Sequence, residues 1–324
     1  MHDASGRSRA SGQDDVDPQV REFIQRMADG YAAFPQLDAA PLDEVRRITA
    51  LVREQWTHGG PAMAAIENLH VGAHGVRVRV LRPRRGGALP ALVYLHGGGW
   101  TLFSIDTHDR LAREYAARAG VAVVAVDYSL APEHRFPRAI DETLDVIAWL
   151  RERADALGID AGRIAVGGDS AGANLAVASQ LALRAQGRPL LAAMLLNYGA
   201  YDDEPSPSWS RYDGPDYMLE ADEMRGFWNN YLRSAADRED PLAMPLRADL
   251  HGLPPAFMAI AECDILADGN RAMAQALRAA GVAVEARAYA GATHSFLEAM
   301  SVSDLANRAL DDAAGWLRQT LARA

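Results

Sequence analysis

A serine stands at position 170 in the stretch Gly167-Gly-Asp-Ser-Ala-Gly172, between an apolar run, Arg163-Ile-Ala-Val-Gly167, and a helical run that starts at Ala171. The order is strand, tight turn, helix, with Gly168 and Gly172 flanking the serine in Gly-x-Ser-x-Gly spacing. So sharp a turn leaves room only for small neighbours at the two flanking positions. It lifts the hydroxyl clear of the sheet and sets it at a helix N-terminus, where free N–H groups favour developing negative charge. The chemistry this suits is nucleophilic attack on an acyl carbon.

A serine nucleophile needs a base within reach, an acid to orient that base, and donors for the oxyanion. His2, His58, His70, His74, His108 and His134 all precede Ser170, whereas a nucleophile turn of this kind is followed in the chain by the acid and then the histidine. Downstream lie His251, in a connection ahead of the strand at 256–261, and His294, in the loop after the last strand. His294 shares the C-terminal sheet edge with Ser170 and is the expected base. Asp264 follows the apolar run Phe257-Met-Ala-Ile-Ala-Glu-Cys263 directly and is the preferred acid, with Asp202 and Asp203 as runners-up. The plain alternative for Asp264 is a helix N-cap. Asp169, beside the nucleophile, reads as a structural hydrogen-bonding group, and Asp268 as part of the following helix. His96-Gly-Gly-Gly-Trp100 comes straight after the strand at 91–95; three glycines leave backbone N–H groups open to close approach by a substrate oxygen.

These residues need a scaffold. Helical patterns run over 18–31 and 41–55, and the alternation Val76-Arg-Val-Arg-Val-Leu81 marks a half-exposed strand. Near-continuous apolar runs at 91–95, 121–126, 163–167, 190–196, 256–261 and 282–289 fit parallel strands covered on both faces, with helices between them. Leading antiparallel strands followed by repeated strand–helix units indicate a doubly wound α/β sheet. The rhythm breaks after Tyr198, where an insertion carries Trp209, Tyr212, Tyr217, Phe227, Trp228 and Tyr231. Most of these aromatics are expected in the insertion's own small core, one or two facing a pocket. Expected boundaries are a tail and cap helices at 1–55, a core at 56–198 and 247–324, and a cap insertion at 199–246. The first 15 or so residues are expected to be disordered.

The 324 residues carry a net charge of −10, which argues against nucleic acid or an anionic membrane as partner. One cysteine excludes an intramolecular disulfide, and there is no lysine, so Schiff-base and Walker A chemistry are absent. Cys263 reads as a packing residue at a strand end, and Asp127, Glu133 and Arg135 as a polar network supporting the glycine loop. No apolar run spans a bilayer and the polar start does not read as a signal peptide, so a cytoplasmic location is expected. No spacing suits a metal, and no cofactor is expected.

His96-Gly-Gly-Gly-Trp100 with Gly168-Asp-Ser-Ala-Gly-Ala-Asn174, Asp127-Tyr-Ser-Leu-Ala-Pro-Glu133, Asp264-Ile-Leu-Ala-Asp268 and His294-Ser-Phe296 resembles the hormone-sensitive-lipase-like (bacterial family IV) esterases over roughly residues 60 to 320. The resemblance implies an α/β-hydrolase: a mostly parallel, doubly wound, eight-stranded sheet with a helical cap. It implies Ser170, Asp264 and His294 as triad and the N–H groups of Gly98, Gly99 and Ala171 as oxyanion hole. Trp100, Tyr198, Trp209 and Phe227 are the candidate substrate-binding residues. Ala173, Ser295 and Ile265 depart from the family's usual glycine, glycine and proline. The activity implied is hydrolysis of small short- to medium-chain acyl esters; a homodimer through 282–324 is a further implication. Competing readings are an amidase or deacylase (arylformamidase-like) on the same triad, and a non-catalytic small-molecule receptor.

Overall fold

The apolar runs form one twisted sheet whose C-terminal edge carries the chemistry. A computed structural model describes residues 15–324; His2 and most of the segment expected to be disordered lie outside the described residues. Helices α1 (Pro18–Ala32) and α2 (Leu42–Thr57) come first, then strands β1 (Ala65–Val71), β2 (Val76–Arg82) and β3 (Leu89–Leu95). Helix α3 (Asp109–Ala119), β4 (Ala122–Asp127), α4 (Arg138–Arg153), β5 (Ile159–Asp169), α5 (Ala171–Ala185) and β6 (Ala193–Asn197) follow. The chain then makes α6 (Pro207–Arg211) and α7 (Ala221–Tyr231) before β7 (Ala256–Cys263), α8 (Ala267–Ala279), β8 (Val284–Thr293) and α9 (Asp304–Leu321).

The eight strands are ordered β1-β2-β4-β3-β5-β6-β7-β8, with β1 and β2 antiparallel and β3 to β8 parallel. Strand β1 was not read from the sequence: Ala-Ile-Glu-Asn-Leu-His-Val lacks clean alternation because it is a largely exposed edge strand. Strands β3, β4 and β6 are almost wholly buried, as sheets covered by helices on both faces require. Helix α5 is mostly apolar and buried from Ala171 to Leu183, so it reads as an interior helix rather than an amphipathic one. Its burial fixes the rigid N-terminus on which Ser170 stands.

Candidate active site

The turn from β5 into α5 holds Ser170 at φ +53° and ψ −118°, a conformation that costs a non-glycine residue about 1–3 kcal/mol. The glycines around it are forced by contact: a Cβ at Gly168 or at Gly172 would overlap the carbonyl oxygen of Leu95 at the end of β3. The elbow is therefore pressed onto the strand that leads into the glycine loop.

The last strand delivers His294 to the serine. Its Nε2 lies 3.0 Å from Ser170 Oγ, and its Nδ1 2.7 Å from Asp264 Oδ2. With Nδ1–H donating to the carboxylate, Nε2 is left to accept the serine hydroxyl. Asp264 is fully buried, and its second oxygen accepts the N–H of Leu266 at 2.9 Å, ahead of α8. This bond closes the turn ahead of the helix; the N-cap of α8 is Leu266, without a side-chain cap, so Asp264 is not the helix cap. Asp203 pairs with Arg238, Asp202 lies on a separate cavity, and His251 is exposed beside Asp249. None of these three contacts His294.

Electrostatics at His294 run in two directions. Burial disfavours the imidazolium, but the Asp264 carboxylate, with smaller contributions from Asp169 and Glu223, outweighs it, and the pKa is raised above the ordinary histidine value. Behind the elbow, His108 Nε2 lies 3.4 Å from Asp169 Oδ2, and Tyr94 donates its hydroxyl to Asp169 Oδ1 at 2.7 Å. Burial would raise the Asp169 carboxyl, but His108 holds it below its usual value. Asp169 is the structural group expected, wedged so tightly under the loop that a Cβ at Gly97 would overlap it.

Gly98 and Gly99 take φ of +106° and +57°, and the loop is tied down through its carbonyls: Gly98 accepts from Thr101 and Leu102. Among the described residues no hydrogen bond within the protein engages the N–H of Gly98, Gly99 or Ala171. Three donors therefore lie free on the loop and at the start of α5.

The four expected substrate-contacting residues separate. The Phe227 ring, from α7, covers Gly99. Tyr198 stands edge-on to His294, ring centroids 5.2 Å apart. Trp100, at φ of +56°, makes the contact between loop and insertion, where it is buried and stacked on Tyr231 at 4.3 Å and beside Trp228. Trp209 lines a cavity of about 210 Å³ with Tyr201, Asp202 and Leu266, whose wall lacks Ser170, Asp264 and His294. The expected polar network also divides. Glu133 pairs with Arg46, Asp127 with Arg77, and Arg135 bonds the carbonyls of Asn229 and Leu232. Cys263 is free and buried, its thiol pushed up to about 11 chiefly by burial. No group of three or more His, Cys, Asp or Glu among the described residues is arranged to hold a metal ion.

Residues 92–298 match the family model described as alpha/beta hydrolase fold. The chain belongs to the α/β-hydrolase family. Within it, the chain is a hormone-sensitive-lipase-like esterase. An ethyl acetate hydrolase of Pseudomonas putida is 44% identical over 73% of this chain and 76% of its own. An acetyl esterase of Salmonella choleraesuis is 36% identical over 84% and 85%. A hyperthermophilic esterase of Pyrobaculum calidifontis superposes with a TM-score of 0.88 at 36% identity, covering 95% of this α/β-hydrolase and 99% of the other chain. No helix among the described residues is long and apolar enough to cross a membrane.

Sequence reasoning missed Arg53 and Glu298, which form a buried pair beside the site. The available signal was the spacing Arg46, Thr49, Arg53, Trp56 on α2, which puts two arginines on the helix's inner face.

Proposed function

We propose that this protein hydrolyses small esters of short- to medium-chain acids through Ser170, His294 and Asp264 and an acyl-enzyme. The observation that carries the reading is the unbroken line of two hydrogen bonds from Asp264 through His294 to Ser170, with three free N–H groups next to the serine. His294 Nε2 takes the hydroxyl proton as Oγ attacks the ester carbonyl. Asp264 holds the tautomer and stabilises the imidazolium. The oxyanion receives the N–H groups of Gly98, Gly99 and Ala171; each such donor is worth about 3–4 kcal/mol of barrier. His294 then returns the proton to the leaving alcohol, and water activated by the same nitrogen releases the acid.

The preference for short acyl groups has two supports. Phe227 and Phe103 bracket the glycine loop, one ring against Gly99 and the other against Gly98. Two relatives are named for ethyl acetate and for acetyl esters. We read residues 199–246 and the helices of 1–55 as a cap over the core at 56–198 and 247–324. The reading extends to a cytoplasmic enzyme, in keeping with its free thiol, and to pairing of two copies through β8 and α9, which light scattering would test.

A 4-nitrophenyl ester series from acetate to palmitate tests the assignment. Turnover that peaks at short chains supports it; a folded protein inert across the series overturns it and favours amide substrates or a receptor.

A further inference from the structure

Helix α2 reaches the active site through two arginines spaced seven residues apart, on one face. Arg46 donates to the carbonyls of Thr101 and Ala131, on either side of the base of the glycine loop, and to Glu133. Arg53 goes deeper and is buried. Its Nε donates to Glu298 Oε2 at 3.2 Å, its Nη1 donates to the Tyr31 hydroxyl of α1 at 2.7 Å, and its guanidinium lies 3.9 Å over the Phe103 ring.

Two of the three partners of Arg53 adjoin the proposed machinery. Phe103, held at φ +71°, packs its ring in the space a Cβ on Gly98 would need. Glu298 lies in the short 3-10 turn Phe296–Ser301, entered from His294 through Ser295 at φ +58°. The guanidinium touches Phe103, against the glycine loop, and Glu298, in the turn that follows His294, at the same time. A buried ion pair by itself says little about stability; a planar cation stacked on one partner and bonded edgewise to two others specifies geometry.

We propose that Arg53 is a positioning residue: it couples the N-terminal helices to catalysis by fixing Phe103 against Gly98 and Glu298 in the turn that follows His294 at the same time. The inference rests on the reading of Ser170, Asp264 and His294 as the catalytic group. A lysine at this position keeps the charge but cannot stack and bond edgewise at once.

The test is kinetic. Arg53→Lys, Phe103→Leu, their combination, and the charge-free pair Arg53→Met/Glu298→Gln are assayed on 4-nitrophenyl butyrate below each variant's Tm. Rates are taken per active site titrated with a 4-nitrophenyl phosphonate. The expected result is a kcat about tenfold or more below wild type with KM within about threefold, since a misplaced group costs rate rather than binding. The combination is expected to lose no more than the worse single variant, because both break one device. Tyr31→Phe, which removes one hydrogen bond and no charge, is expected to lower kcat by about threefold and decides the matter if the others do not fold. Folded variants with kcat within about twofold of wild type, or additive losses in the combination, overturn the inference. Ser170→Ala alongside separates the two levels: activity retained there fells the esterase reading, whereas an inactive Ser170→Ala with fast Arg53 variants fells this inference alone.

Discussion

The ring of Phe227 lies so close over Gly99 that a side chain at residue 99 would have to occupy the ring's own position. Gly99 also sits at φ +57°, where an L-residue is strained. Gly99→Ala is therefore expected to displace either the ring or the loop, and to cost at least the effect of one oxyanion donor. Turnover should fall by about 10²-fold or more, with secondary structure by circular dichroism unchanged. Activity near wild type would mean that this loop does not hold the oxyanion.

Phe227→Ala acts in the opposite sense. Removing the ring opens the space above Gly99 without touching the triad. The expected outcome is a shift of the best 4-nitrophenyl ester to longer acyl chains, with kcat on the acetate ester within about tenfold of wild type. An unchanged chain-length profile would place the acyl group elsewhere.

The base must be neutral to take the serine proton, and Asp264 favours its charged form. The acidic limb of kcat/KM is thus expected above the ordinary histidine value, with the rate rising through it as pH increases. Stability moves the other way. The imidazolium–carboxylate pair stabilises the fold fully below the unfolded histidine's pKa, and this contribution is lost as pH rises through the raised value. Asp264→Asn removes the counter-charge while burial remains, so turnover is expected to fall by about 10⁴-fold and any residual limb to move down in pH. A residual limb that stays put would assign the titration to another group.

Asp202 is a liability outside the catalytic chain. Burial, with Asp203 and Glu204 adjacent, pushes its carboxyl up to about 6. A raised carboxyl stabilises the fold below the unfolded value, and this contribution fades as pH climbs through the raised one. Asp202→Asn is expected to stabilise the protein by about 1–2 kcal/mol at pH 7.5, after allowing for solvent screening, and by little at pH 4. Thermal unfolding at the two pH values checks this; equal shifts at both would contradict it.

The residues proposed as catalytic were readable because each sits where a strand ends, and strand ends are marked by apolar runs and glycines. Ser170, Asp264 and His294 follow β5, β7 and β8 directly, so chain order and sheet edge sufficed to bring them together. Composition did not tell which way Trp100, at φ +56°, turns its ring, or that Trp209 lines a cavity whose wall lacks Ser170, because both are set by long-range packing. Arg53 was invisible for a similar reason: an arginine in an amphipathic helix reads as solvated surface unless its partners, 22 and 245 residues away, are known. The scattering of Asp127, Glu133 and Arg135 onto separate partners is again a matter of long-range packing.

The most direct measurement of the central claim is hydrolysis of 4-nitrophenyl butyrate by the wild type and by Ser170→Ala at matched folding. The account predicts an initial burst or steady turnover in the wild type, and a loss of several orders of magnitude in the variant with its Tm preserved. Turnover retained in a folded Ser170→Ala protein would contradict it.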